Sequence, residues 1–170
     1  DEQAAGMMLK GMTAQYLLNR TYKVEKGTVC LIHAAAGGVG MIASQWANHL
    51  GATVIGTVGS KEKAELAKKN GCHHTILYRD EDFVAKVKEI TSGKLCDVVY
   101  DGIGKTTFPA SLDCLRPMGY FVSFGSASGQ IEEVAPVVLG AGNHEARQGD
   151  LLPELGGVRG VDVLGVGREA

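Results

Sequence analysis

The sequence predicts an α/β domain built on a doubly wound, parallel, six-stranded sheet with strand order 3-2-1-4-5-6. Three observations carry that expectation. Short apolar runs alternate with helical patterns of about 10 to 15 residues, the layout of βαβ units with helices on both faces of a sheet. One strand–turn–helix unit, from Val29 to Leu50, contains a turn of small residues spaced Ala34-x-x-Gly37-x-x-Gly40. The loops expected beyond the C-terminal ends of the strands all carry glycine: the Gly37 turn, Gly59-Ser60, Gly102-Ile103-Gly104 and Phe124-Gly125. Right-handed crossovers and one reversal after the third strand then give the stated order, with ligand expected beyond strands 1 and 4.

Taken in order, Asp1 to Arg20 reads as a helix. Ala5, Met8, Leu9, Met12, Tyr16 and Leu17 recur at helical spacing and predict one buried face. Glu25-Lys26-Gly27 is a turn into the first strand, which begins at Val29. The helix Met41–Leu50 presents Ile42, Trp46, Ala47 and Leu50, with Trp46 expected in the core. The second strand is Ala52–Val58, and Ser60 is a good N-cap for a helix from Lys61 to Asn70 that Gly71 ends. His73–Tyr78 is the third strand; its two histidines should point to opposite faces, one buried and one exposed. Asp80–Thr91 is a helix with the stripe Phe83, Val84, Val87 and Ile90. Asp97–Asp101 is the fourth strand, followed by a helix from about Thr107 to Leu115 that Arg116-Pro117-Met118-Gly119 breaks. Tyr120–Gly125 is the fifth strand and ends in the loop Ser126–Gly129. Beyond Ile131 the pattern weakens: Val134–Leu139 fits part of a helix, Gly140–Asp150 reads as loop, and Gly160–Val166 as the sixth strand.

The 170 residues suffice for one domain with a sizeable core, and 45% apolar with 21% charged residues describes a water-soluble chain. A net charge of -2 without a Lys/Arg cluster excludes a broad nucleic-acid surface. No apolar run approaches the ~20 residues of a membrane span, and the residues from Asp1 onward lack the basic-then-apolar layout of a secretory signal. Cys30, Cys72, Cys96 and Cys114 are scattered without a C-x-x-C pair, which predicts buried thiols in a reducing cytoplasm.

The turn after the first strand is the centre of the functional reading. Small residues there let the backbone turn tightly and approach a pyrophosphate, as in a Rossmann-type dinucleotide site. The N–H groups at the start of the following helix then face the phosphates, aided by the helix dipole. The end of the second strand selects the cofactor. An NAD site usually carries Asp or Glu there, but this chain has Thr57-Val58-Gly59-Ser60-Lys61 with no acid before Glu62. A hydroxyl at Ser60 and positive charge at Lys61 or Lys63 favour NADPH; the plainer reading of those lysines is an exposed helix start. By pattern alone, Tyr78 is equally a surface tyrosine or a neighbour of adenine.

Other classes fail on their residues. A tyrosine followed four positions later by lysine occurs only as Tyr22 and Lys26, upstream of any cofactor cleft. No Gly-Lys-Ser/Thr follows the glycine turn, and Gly104-Lys105-Thr106 lacks the earlier P-loop glycine. The five histidines show no metal-ligand spacing.

As an ordered set, several segments resemble the NADPH:quinone oxidoreductases, the zeta-crystallin-like, zinc-free branch of the medium-chain dehydrogenase/reductase superfamily. They are Gln3-Ala4-Ala5, Leu9–Thr13, Tyr16–Leu18, His33–Gly40, Gly56–Gly59, Tyr78-Arg79, Val98–Asp101, Ser111–Leu115 and Ser123–Gly125. The resemblance covers about Asp1 to Gly129 and implies hydride transfer from NADPH to a quinone or related enone. It implies cofactor contacts at Gly38, Val39, Gly40 and Met41 for the pyrophosphate, beside Gly37 of the fingerprint spacing, and at Gly59 and Lys63 for the 2′-phosphate, beside the Ser60 hydroxyl read from the strand end. It also implies Tyr78 beside the adenosine, and Thr13, Ile103, Phe124, Gly125, Ser126 and Ala127 near the nicotinamide. The zinc-dependent branch has a cysteine ligand four residues before the Thr13 position; Leu9 stands here, so no metal is expected. No catalytic residue is assigned within this chain.

Members of that family are longer, with an N-terminal GroES-like domain forming the other wall of the cleft. The resemblance therefore implies that residues 1–170 are the nucleotide-binding part of a partial chain, with 130–170 atypical. Leu152-Pro153 and Gly157–Gly165 resemble an acrylyl-CoA-reductase-like branch instead, which keeps an enoyl or acryloyl thioester reductase as an alternative. A non-enzymatic NADPH-binding role of the zeta-crystallin kind is a third reading. The family's dimers also imply a homodimer through the sheet edge, placed here at Val161–Val166.

Overall fold

The computed structural model describes residues 2–132 and 145–148. In chain order the elements are α1 (Glu2–Tyr16), a π-helical turn (Leu17–Thr21), β1 (Val29–Ile32), α2 (Gly38–His49), β2 (Thr53–Val58) and α3 (Lys61–Lys69). They continue with β3 (His74–Leu77), α4 (Phe83–Ile90), β4 (Cys96–Asp101), α5 (Phe108–Leu112), β5 (Leu115–Ser123) and β6 (Glu145–Gln148). The sheet order is β3-β2-β1-β4-β5-β6, with every neighbouring pair parallel.

Alternation along the strands builds both layers. Cys30 and Ile32, Val54 and Val58, Val98 and Tyr100, and Val122 share one core with Ala14, Leu17 and Leu18, Ala43 and Ala47 of α2, and Ala64 and Ala67 of α3. The intervening residues Leu31, Ile55, Val99 and Phe121 join Val87 of α4 and Phe108 and Leu112 of α5 on the opposite face. A period of two places one set on each side of the sheet, so both faces need helical cover. Trp46 and Leu50 pack against the first core. All four cysteines are buried free thiols.

The register levels the strand ends. Ile32 pairs with Gly56 and with Tyr100, and Tyr100 pairs with Val122. The loops after β1, β2, β4 and β5 therefore open on one edge of the sheet, where a doubly wound fold places its crevice.

The structure corrects several local expectations. Within Gly140–Asp150, expected to be loop, Glu145–Gln148 is a strand paired in parallel with β5. Its residues lack apolar alternation, so backbone pairing rather than side-chain pattern makes it a strand. The stretches 134–139 and 160–166 lie outside the described residues. On α1, Met8, Leu9 and Met12 are 63%, 58% and 45% exposed, whereas Thr13, Ala14, Leu17 and Leu18 are buried. The π-helical turn shifts the register, bringing both leucines inward, and the Tyr100 hydroxyl donates to the Leu17 carbonyl there at 3.2 Å. His73 and His74 are both exposed, because β3 begins only at His74; His73 Nδ1 instead accepts the Val54 N–H at 3.0 Å. β5 runs from Leu115 through the stretch expected to be a break, with a register irregularity opposite Cys96 and Val98.

Candidate cofactor crevice

The turn between β1 and α2 is built to leave donors exposed. Ala34 holds φ 52, the left-handed conformation that the commoner fingerprint gives to glycine. The Gly37 N–H bonds back to the Ala34 carbonyl at 2.8 Å, and the Met41 N–H reaches the Gly37 carbonyl at 2.9 Å. The helix starts at Gly38, earlier than the sequence pattern suggests, with Gly37 as N-cap. No side chain caps it and its first turn holds no acid, so the N–H groups of Gly38, Val39 and Gly40 are left for an anion. The N-termini of α3 and α4, by contrast, are capped by Ser60 and Asp82.

The glycines of this turn stand where side chains would collide. A Cβ on Gly40 would stand 2.5 Å from the Ala34 carbonyl oxygen and 2.8 Å from Ala35 Cα. A Cβ on Gly38 would meet the Lys10 side chain at 2.7 Å, with its Nζ at 3.0 Å. Lys10, absent from the sequence-derived site, thus extends from α1 across the mouth of the turn. Among the described residues it has no ion-pair partner, and a cation over the positive end of a helix is favourable only with an anion between them.

At the end of β2, Gly59 faces Tyr78: a Cβ on Gly59 would lie 3.0 Å from the tyrosine hydroxyl. Tyr78 is half exposed, with the Arg79 guanidinium 6.0 Å from its ring centroid. Ser60 spends its oxygen on the cap of α3, accepting the Lys63 N–H at 3.3 Å. Its hydrogen bond to Glu62 lowers that carboxyl's pKa. Lys63 is exposed and unpaired among the described residues.

The loops after β4 and β5 form one unit. The Asp101 carboxylate, fully buried, accepts the N–H groups of Ile103 at 2.7 Å and Gly104 at 3.0 Å and the Thr107 hydroxyl at 2.7 Å. The Phe124 N–H bonds to the Asp101 carbonyl at 2.9 Å, and its ring covers Gly102, where a Cβ would meet it at 2.9 Å. Ala127 N–H reaches the Gly102 carbonyl and Ser128 N–H the Ile103 carbonyl. Ile103 and Phe124–Ala127 are thereby brought together, with Gly125, Ser126 and Ala127 exposed. Thr13 is buried on α1 and its hydroxyl donates to Leu9 O at 2.8 Å; among the described residues no hydrogen bond ties it to those loops.

None of Asp101, His33, Thr57, Thr107 and Ser111 is among the site residues singled out from the sequence; Asp101 carried a usable signal, an Asp before Gly-x-Gly that favours an Asx turn, whereas the others are polar residues near strand ends or on a short helix. Burial holds the His33 imidazole below its ordinary pKa, against the opposing pull of the Asp101 carboxylate. The unfolded chain therefore takes up a proton near pH 6.5 while the folded chain resists it. This stability contribution is complete above about pH 6.5 and is lost as pH falls below it. Urea unfolding should show stability declining from about pH 6.5 downward, by at most about 1.4 kcal/mol per pH unit from this group, and His33→Gln should flatten that slope.

Among the described residues no group of three or more His, Cys, Asp or Glu side chains is placed to hold a metal ion. No described helix is long and apolar enough to cross a membrane.

Residues 38–146 match the family model described as zinc-binding dehydrogenase. The chain is 61% identical over 137 residues to a 2-haloacrylate reductase of Burkholderia, covering 81% of this chain and 41% of that protein. It is 55% identical over 133 residues to a quinone oxidoreductase of Pseudomonas aeruginosa, covering 78% of this chain and 41% of the relative. The solved structure of Escherichia coli quinone oxidoreductase complexed with NADPH superposes with a TM-score of 0.85 at 49% identity, covering 88% of this chain and 46% of that one. The chain spans under half the length of these relatives. It belongs to the zinc-binding dehydrogenase family of the medium-chain dehydrogenase/reductase superfamily, among relatives named quinone oxidoreductase.

Proposed function

We propose that residues 1–170 are the NADPH-binding part of a zinc-independent quinone oxidoreductase that reduces a quinone or related enone. The uncapped, glycine-lined start of α2 carries the reading, together with the lack of a carboxylate at the end of β2. In it, Gly37, Gly38, Val39, Gly40 and Met41 bind the pyrophosphate through backbone amides, with Lys10 adding positive charge from α1. Gly59 and Lys63 receive the 2′-phosphate, joined by Ser60 when its hydroxyl proton turns from the Glu62 carboxylate to the phosphate, and Tyr78 flanks the adenosine. Thr13, Ile103, Phe124, Gly125, Ser126 and Ala127 line the nicotinamide end, where the Phe124 ring excludes water. When bound, NADPH supplies the hydride, so the protein's task is orientation and desolvation. No residue of this chain is given a proton-transfer role.

Fluorescence titration tests the cofactor half of the reading. NADPH should bind at least about tenfold tighter than NADH, and Lys63→Ala should erase most of that margin, because a charge-assisted phosphate contact is worth about 1.5–3 kcal/mol. Equal or tighter NADH binding overturns the assignment.

A second substrate reading has one observation in its favour: a relative at 61% identity is named 2-haloacrylate reductase. Reduction of an activated acryloyl double bond uses the same hydride donor, and turnover of quinone against acryloyl substrates by the full-length parent separates the two. Four free thiols support placing the protein in the reducing cytoplasm. The reading also includes a homodimer through the sheet edge, where β6 is the outermost strand among the described residues.

A further inference from the structure

A buried polar chain runs beneath the crevice on the α4/α5 side of the sheet. His33, 2% exposed, sits at the end of β1 immediately before the glycine turn. Its Nδ1 lies 3.0 Å from Thr57 Oγ1 at the end of β2, and its Nε2 lies 2.9 Å from Ser111 Oγ on α5. Ser111 Oγ is in turn 2.7 Å from the Thr107 carbonyl oxygen, and Thr107 Oγ1 is 2.7 Å from the Asp101 carboxylate. The Phe83 ring of α4 meets the imidazole edge to face, 5.2 Å between centroids.

Counting protons gives the chain a direction. A carbonyl only accepts, so the single proton of Ser111 is spent on Thr107 O. Ser111 Oγ must then accept from His33, which places a proton on Nε2. A second ring proton would put a charge in a dry site whose nearest carboxylate, Asp101, is already engaged by the Ile103 and Gly104 amides and the Thr107 hydroxyl. Nδ1 is therefore bare and accepts the Thr57 hydroxyl proton. Every donor has an acceptor, and all point from β2 toward Asp101.

We propose that His33 is a positioning residue for the dinucleotide: as a neutral, Nε2-protonated imidazole it fastens together the three loops that form the crevice. The proposal rests on the cofactor reading above. The imidazole joins the residue before Ala34, the strand leading into Gly59 and the helix after the Ile103 turn. Backbone bonds run in the same places, from His33 N–H to Tyr100 O at 3.0 Å and from Ala35 N–H to Thr57 O at 3.1 Å. Losing the Thr57 hydroxyl frees one side of the ring, and the pyrophosphate turn then shifts against the adenosine loop.

Two measurements on the 170-residue chain test this. Nitrogen-15 NMR of labelled protein should show His33, identified by its loss in His33→Gln, with Nε2 protonated and Nδ1 unprotonated at neutral pH. NADPH titration, at a temperature where all variants are folded, should find Thr57→Val weakened about tenfold, the scale of one buried hydrogen bond. Thr57→Ser, which keeps the hydroxyl, should recover both the affinity and the ring signature. A purely structural role predicts a lower melting temperature for Thr57→Val with unchanged affinity, and that result overturns the proposal. So does an Nδ1-protonated or doubly protonated ring in the wild type. Wild-type protein that binds neither NADPH nor NADH instead brings down the cofactor reading, and the positioning role with it.

Discussion

Gly40→Ala is expected to cost about 3 kcal/mol of stability, at the upper end of what forced overpacking costs, and to weaken NADPH binding by roughly a hundredfold. The added methyl would stand 2.5 Å from the Ala34 carbonyl oxygen and 2.8 Å from Ala35 Cα. Both neighbours are backbone of the turn proposed to face the phosphates, so nothing moves aside without re-aiming the amides of Gly38 and Val39. Gly38→Ala is the informative contrast. The nearest atoms to its methyl would be the distal atoms of Lys10, a flexible chain that swings away. The fold should survive with under about 1 kcal/mol lost, while affinity drops because the methyl and the displaced ammonium both change the phosphate side of the turn. Urea denaturation and fluorescence titration of the pair separate the steric effect from the ligand effect. Equal stability losses in the two variants would contradict this account of the turn.

Asp101→Ala should be the second severe substitution, destabilising by about 3–5 kcal/mol. The carboxylate is fully buried and organises the loop after β4 by accepting from Ile103 N–H, Gly104 N–H and the Thr107 hydroxyl. Alanine leaves those amides without partners in a site where Gly104 is itself buried. The Phe124 loop hangs on the same turn through Ala127 N–H to Gly102 O and Ser128 N–H to Ile103 O. Loss of the wall proposed for the nicotinamide is expected along with loss of stability. Asp101→Asn should cost far less, about 1 kcal/mol. Its carbonyl oxygen keeps the paired amides, and the Thr107 hydroxyl turns to the Gly104 carbonyl, already 3.1 Å away. Thermal melts of the three proteins decide the matter, and an alanine variant as stable as the asparagine one would remove Asp101 from this role.

Much of the architecture follows from local pattern. Strands with alternating two-faced burial and helices with apolar stripes are encoded within a few residues, and glycine at a strand-to-helix turn is a backbone requirement visible in one dimension. The Gly37–Gly40 turn, the Ser60 cap and the lack of an acid after β2 were legible for that reason. β6 was not, because Glu145–Gln148 is a strand through its backbone partner and not through its own side chains. On α1 the helix itself was legible, but the buried face was misread at Met8, Leu9 and Met12. A π-helical turn downstream and the packing on α2 decide which side is inward.

By itself the sequence determined the order of the first five strands and the glycine turn at their C-terminal ends, because each depends on residues adjacent in the chain. Only the tertiary structure decided that Lys10 reaches over Gly38, that Phe124 lies on Gly102, and that one imidazole joins Thr57 to Ser111, 24 and 78 positions away. Those relations exist only after βαβ units have wound the chain back on itself. A hydrogen bond between distant residues leaves no period for a sequence to display.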